Sequence, residues 1–164
     1  MPNQRIAELV SEFIPLNRRR VNGNPALSVL ELDRWSDLRD HLAYEFGHSP
    51  PIGASQPRQL RVPTQLKVRY GTDSSKSSAI ENLSEGGGFV RCAEPPAPQM
   101  SQRLELEAEG ELPLRLDGLV IHARELDNLD GPAGFGVAFQ DLQVEDHLAL
   151  TRLIDAALSR ASDD

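Results

Sequence analysis

A chain of 164 residues with 39% hydrophobic side chains can build one ordinary core plus an appendage, and is short for two full domains. Its net charge of −8 argues against non-specific attachment to nucleic acid, which draws its affinity from many Lys/Arg contacts to phosphate. Residues 1–56 carry six Lys/Arg against seven Asp/Glu, net −1, and the remainder eleven against eighteen, net −7, so the acidity belongs to the second part.

Residues 3 to 20 place Ile6, Leu9, Val10, Phe13 and Ile14 at three-four spacing, which predicts one apolar face of a helix. Arg18, Arg19 and Arg20 close it as cations in a last turn, ahead of the stop signal Asn22-Gly23-Asn24-Pro25. Ser28 and Glu31 have the spacing of a capping box, and Trp35, Leu38, Leu42 and Phe46 carry a second apolar stripe to Gly47. The reading is an antiparallel helical hairpin over residues 1–47. It is too small to bury both faces alone, so it packs on the rest of the chain, on a second copy as a homodimer, or on a partner.

Residues 48–60 show no periodicity and contain Ser49-Pro50-Pro51, a linker or ordered arm. From Arg61 the period changes to two, with Val62, Leu66, Val68 and Tyr70 facing one way. Further strands are expected at 77–83, 88–92, 103–109, 112–124 and 134–140, with Gly118 marking a bulge or barrel corner. Short strands between Gly/Pro/Asp turns predict a sandwich or barrel over residues 61–160. Leu150, Leu153, Ile154, Ala157 and Leu158 then form an amphipathic closing helix.

The stretch Asn82-Leu83-Ser84-Glu85-Gly86-Gly87 places short polar side chains beside bare backbone at a strand end, where an anionic ligand can come close. Upstream stand Arg58 and Arg61, whose guanidiniums present rigid forks of donors suited to phosphate.

From Arg58 to about Leu158 the chain resembles the PilZ family of bacterial cyclic-di-GMP receptor domains. The family's (D/N)xSxxG motif is matched by Asn82, Ser84 and Gly87, and the later pattern Leu116-x-Gly118-x-Val120 followed by Gly134-Phe135-Gly136-Val137-Ala138-Phe139 fits the same barrel. Of the family's RxxxR motif, Arg61 matches the second arginine, while the position four before it is Pro57 and Arg58 stands three before. The resemblance implies a mainly β fold, an antiparallel barrel with a C-terminal helix, here preceded by the helical hairpin. It implies cyclic-di-GMP as ligand, without any resident cofactor, held by Arg58, Arg61, Asn82, Ser84 and Gly87. It also implies a non-catalytic signalling module that relays the nucleotide to a protein partner in motility or cell-surface control. Pro57 sets a second expectation beside the first, an adaptor that acts through protein contacts without nucleotide.

An enzyme is not expected. Ser84 has no histidine nearby in sequence, the four His (His41, His48, His122, His147) show no metal-ligand spacing, and the lone Cys92 reads as a small apolar residue at a strand end. The start of the chain lacks a signal core and no apolar run reaches the roughly 20 residues a membrane helix needs, so a cytoplasmic protein that does not insert in membranes is expected.

Overall fold

The computed structural model describes residues 4–46, 60–71, 75–108, 112–125 and 133–163. Two helices open it, α1 (Gln4–Asn22) and α2 (Val29–Glu45). Both capping-box bonds at Ser28 and Glu31 are present, so the free amides at the start of α2 are satisfied as the sequence predicted. Pro15 lies inside α1 on its exposed side, where water can take up the carbonyl that its missing N–H leaves free.

Six strands follow: β1 (Val62–Tyr70), β2 (Lys76–Leu83), β3 (Gly87–Arg91), β4 (Ser101–Glu107), β5 (Leu114–Arg124) and β6 (Gly134–Gln140). They close in the order β1-β2-β3-β6-β5-β4, a mainly β architecture. A last helix, α3 (Val144–Asp163), ends the chain, with the Asp146 carboxylate accepting from the Gln143 amide just before it.

The described residues divide into two units, one of residues 1–63 and 147–164 and one of residues 64–146. In the helical unit the buried positions of α1 are Ile6, Val10, Phe13 and Asn17, spaced four, three and four, the seam of a coiled coil. Opposite stand Leu38 and Leu42 of α2, both fully buried, with the Trp35 ring stacked 6.3 Å from that of Phe13. The arginine triplet does more than close α1. Arg18 pairs with the buried Asp155 of α3 at 2.9 Å, Arg19 forks onto Glu31, and Arg20 bonds Asn17 and lies 4.3 Å over the Trp35 ring. Side chains this specific arise only once three helices are assembled; end-of-helix reasoning does not reach them.

The barrel unit buries one face of each strand: Val68 and Tyr70 of β1, Ile80 and Leu83 of β2, Val90 of β3, Leu104 and Leu106 of β4, Leu116 and Val120 of β5, Phe135 and Val137 of β6. The Tyr70 and Phe135 rings meet edge-on at 5.3 Å. Burial, and then the hydroxyl's bond to the Cys92 sulfur at 3.0 Å, push the Tyr70 phenol above its usual value. Of the two expectations for Gly118, a bulge or a barrel corner, the bulge does not fall there. The irregularity of β5 falls between Val120 and His122, and Gly118 instead leaves room inside the barrel, where a β-carbon would come within 2.3 Å of Val137 Cγ2.

Outside, β1, β4 and β5 carry cross-strand ion pairs: Arg69 with Glu107 at 3.3 Å, Arg103 with Asp117 at 3.7 Å and Arg115 with Glu105 at 3.7 Å. Three acidic side chains of the second half of the chain are thereby matched by arginines across the sheet.

Candidate functional site

The turn between β2 and β3 is built by three of the residues expected to bind ligand. The Ser84 amide and hydroxyl both donate to the Gly87 carbonyl, at 2.8 and 3.2 Å, which draws the turn closed. Gly87 is buried, and a β-carbon on it would stand 2.0 Å from the Val137 carbonyl oxygen of β6, so backbone touches backbone at this point. The Phe139 amide donates to the Gly86 carbonyl at 2.8 Å and ties the turn to the same strand. Asn82 is the last residue but one of β2, beside a register shift, and its side-chain oxygen is buried with no hydrogen-bond partner among the described residues. A buried acceptor of this kind costs about 1–3 kcal/mol, an amount that a ligand donor can recover.

Beyond the turn, β3, β6 and β5 form adjacent strands of the barrel wall. Register sets Asn82 opposite Phe89, Phe89 opposite Gly136, and Gly136 opposite His122, one row across four strands. The next row on the same face sets Arg91 and Arg124 on either side of Gly134. The Phe89 and His122 rings stack with centroids 6.0 Å apart, and the Arg124 guanidinium lies 5.3 Å over Phe89. Arg91 is held by Glu81 at 2.8 Å.

Asn82, Ser84 and Gly87 are therefore brought together, with Ser84 spending its hydroxyl on the turn itself. Arg61 is exposed immediately before β1, and Arg58 and Pro57 lie outside the described residues. The rings and guanidiniums of the wall were not anticipated. Their signal in the sequence is the period-two pairing of Phe89 with Arg91, His122 with Arg124 and Gly134 with Gly136, which acquires meaning only when register aligns the three pairs. Among the described residues no group of three or more His, Cys, Asp or Glu could hold a metal ion, and no helix is long and apolar enough to cross a membrane.

A closed six-stranded antiparallel barrel with a polar, glycine-bearing turn between its second and third strands and a helix after its last one defines a small barrel-domain class. A family model described as the PilZ domain matches residues 55–156, well over half the chain, and the chain belongs to the PilZ domain family. No curated protein sequence matches it. Among solved structures it is similar to the Bacillus subtilis inhibitor of motility MotI/DgrA, at 16% identity and a TM-score of 0.54, over 68% of this chain and 56% of that one. It is also similar to the PilZ domain of Escherichia coli YcgR with c-di-GMP, at 14% identity and a TM-score of 0.52, over 66% of this chain and 96% of that one. The full YcgR complex with c-di-GMP gives 17% identity and a TM-score of 0.53, over 65% of this chain and 47% of that one. The chain thus spans about half the length of MotI/DgrA and of full YcgR. These likenesses establish the fold.

Proposed function

We propose that this protein is a non-catalytic cytoplasmic module that binds cyclic-di-GMP and relays it to a protein partner in motility or cell-surface control. The observation that carries the reading is the turn: Ser84 and Gly87 shape it as the family motif requires, and Asn82 keeps a buried acceptor in want of a donor. In this reading Arg58 and Arg61 meet phosphate, Asn82 accepts from the base, and Gly87 lets the nucleotide approach backbone. Two of the similar structures are described as containing c-di-GMP, which supports the choice of ligand.

Isothermal titration of the full chain with cyclic-di-GMP tests it. Saturable heat that falls about tenfold in affinity in Asn82→Ala supports the reading, as expected for one good polar contact. Absence of heat and of any thermal shift at high nucleotide overturns it.

A second reading, an adaptor that works without nucleotide, has its own observation. Pro57 stands where the first arginine of the pair is expected, and α2 exposes Val29, Leu30 and Tyr44, more than two-thirds of each side chain's residue surface being open. Those side chains would serve a protein partner, or a second copy joined through the hairpin. The readings part on Arg61→Ala, which abolishes signalling in the first and leaves it intact in the second.

A further inference from the structure

The helical unit holds a cavity that takes no part in the barrel's turn. It lies between α1 and α3 and encloses about 440 Å³, within the range of about 300–1,000 Å³ usual for small-molecule sites. Helical spacing builds both of its walls. Arg18 and Val21, three residues apart, share one face of α1, and Leu148, Thr151, Arg152 and Asp155 fall at intervals of three, four and seven along one face of α3. The buried part of the lining is polar, with Thr151 and Asp155 only 4% and 3% exposed. Thr151 donates its hydroxyl hydrogen to the His147 carbonyl at 2.8 Å, so its oxygen has lone pairs left to offer. Asp155 accepts from Arg18 Nε at 2.9 Å and, as a carboxylate, adds acceptor sites alone. This depth of the cavity asks for a hydrogen-bond donor.

The exposed part of the lining asks for an anion. The Arg18 side chain is 60% exposed and meets Asp155 through Nε, and Arg152 is exposed with no ion pair among the described residues. Two guanidiniums against one carboxylate, two minus one, leave the cavity with a net charge of +1. Val21 and Leu148 supply apolar surface beside these groups. A matching ligand is small, carries one negative charge, bears a donor and has a short carbon body, which describes a hydroxycarboxylic acid. An amino acid offers a donor but no net charge, so the cavity's +1 stays uncompensated, and a phosphate ester brings a charge of about −1.5 to −2, more than the cavity balances.

We propose that the cavity between α1 and α3 is a site for a small hydroxycarboxylate. Its carboxylate meets the planar forks of Arg152 and Arg18, its hydroxyl donates to the buried acceptors of Thr151 and Asp155, and its carbon body lies on Val21 and Leu148. A ligand that bridges Arg18 of α1 and Arg152 of α3 fastens the two helices to each other, so it raises the melting temperature. The site uses no residue of the turn or of the arginine arm, and stands or falls independently of the nucleotide reading.

Titration of the full chain with 2-hydroxy-3-methylbutanoate, followed by amide chemical shifts and by calorimetry, tests it, with 3-methylbutanoate and inorganic phosphate as comparison ligands. We expect saturable binding of the hydroxy acid with shifts at the Val21, Leu148 and Thr151 amides, and binding about tenfold weaker for 3-methylbutanoate, which lacks the donor. Arg152→Gln should weaken the hydroxy acid about tenfold, whereas Arg160→Gln, the same charge change further along α3 and outside the cavity, should match wild type. Deleting the Arg18 cation would strand the buried Asp155 carboxylate, so the variant there is Arg18→Lys, which keeps a cation and gives up the fork; it should fold, as its melting temperature will show, and bind more weakly. Any one of three results overturns the site: no saturable binding of the hydroxy acid up to tens of millimolar, affinity unchanged in Arg152→Gln, or phosphate bound as tightly as the hydroxy acid. Cyclic-di-GMP titration of the same protein reads the proposed function separately, so the failure of either is told apart from the failure of the other.

Discussion

The indole N–H of Trp35 donates to the Oδ1 of Asn17 at 3.0 Å, across the two helices of the hairpin. Arg20 donates to the same oxygen from Nε at 3.2 Å and Nη2 at 2.9 Å, while Arg20 and Arg39 lie 4.3 and 5.0 Å over the indole. Asn17 occupies a seam position otherwise filled by Ile6, Val10 and Phe13, so it fixes the register of α1 against α2 at the cost of a buried amide.

Asn17→Leu is therefore expected to destabilise the protein by about 1–3 kcal/mol even though it adds apolar volume, because the indole N–H loses its acceptor. Adding Trp35→Phe to Asn17→Leu should return part of the loss, which a double-mutant cycle in denaturant reads directly. Strict additivity of the two substitutions would show that the bond contributes nothing.

Acid should loosen α2 through Glu31. The Arg19 guanidinium first, and then the Ser28 amide, hold the Glu31 carboxyl down to about 2. A carboxyl depressed in the folded state adds stability that is complete above its ordinary value near about 4.3 and fades as pH falls toward about 2. Melting temperature followed from about pH 5 to about pH 2 should drop less steeply in Glu31→Gln, which has no carboxylate to lose, than in wild type.

Glycines of the barrel should differ sharply in what they tolerate. Gly87→Ala drives a β-carbon against the Val137 carbonyl oxygen at 2.0 Å, backbone that cannot yield, and a loss of about 1–3 kcal/mol or more is expected. Gly136→Ala meets only the ring end of the exposed His122, which can rotate away, so its stability cost should be the smaller of the two. Equal melting temperatures for the two variants would contradict the contact geometry.

Ser84→Ala removes the hydroxyl that bonds the Gly87 carbonyl at 3.2 Å but leaves the amide bond at 2.8 Å in place. A loss of about 1 kcal/mol is expected, measured in urea, with the turn retained. Pro57→Arg restores the four-residue arginine spacing before β1 and should raise cyclic-di-GMP affinity about tenfold, read by calorimetry. No change in affinity would show that the arm takes no part in binding.

Local chemistry was legible in the chain. Period-two alternation and turn residues located β1 to β6 within about two residues at most ends, and the Ser28–Glu31 spacing found the start of α2, because each depends on neighbours in sequence. The motif Asn82-x-Ser84-x-x-Gly87 likewise announced its turn, since Ser84 and Gly87 bond within it.

Tertiary structure decided whatever depends on which strands and helices become neighbours. Asn17 reads as one more polar residue near a helix end until α2 brings Trp35 to it, and Arg18 as one cation of three until α3 brings Asp155. Gly134, Gly136, His122 and Phe89 lie up to 47 positions apart, and no periodicity within any one strand says that their rows coincide. By itself the sequence determined a PilZ-type barrel with its turn, through interactions of short range. The wall beside that turn, where rings and guanidiniums share one face, was decided by barrel closure, which alone sets register between strands distant in the chain.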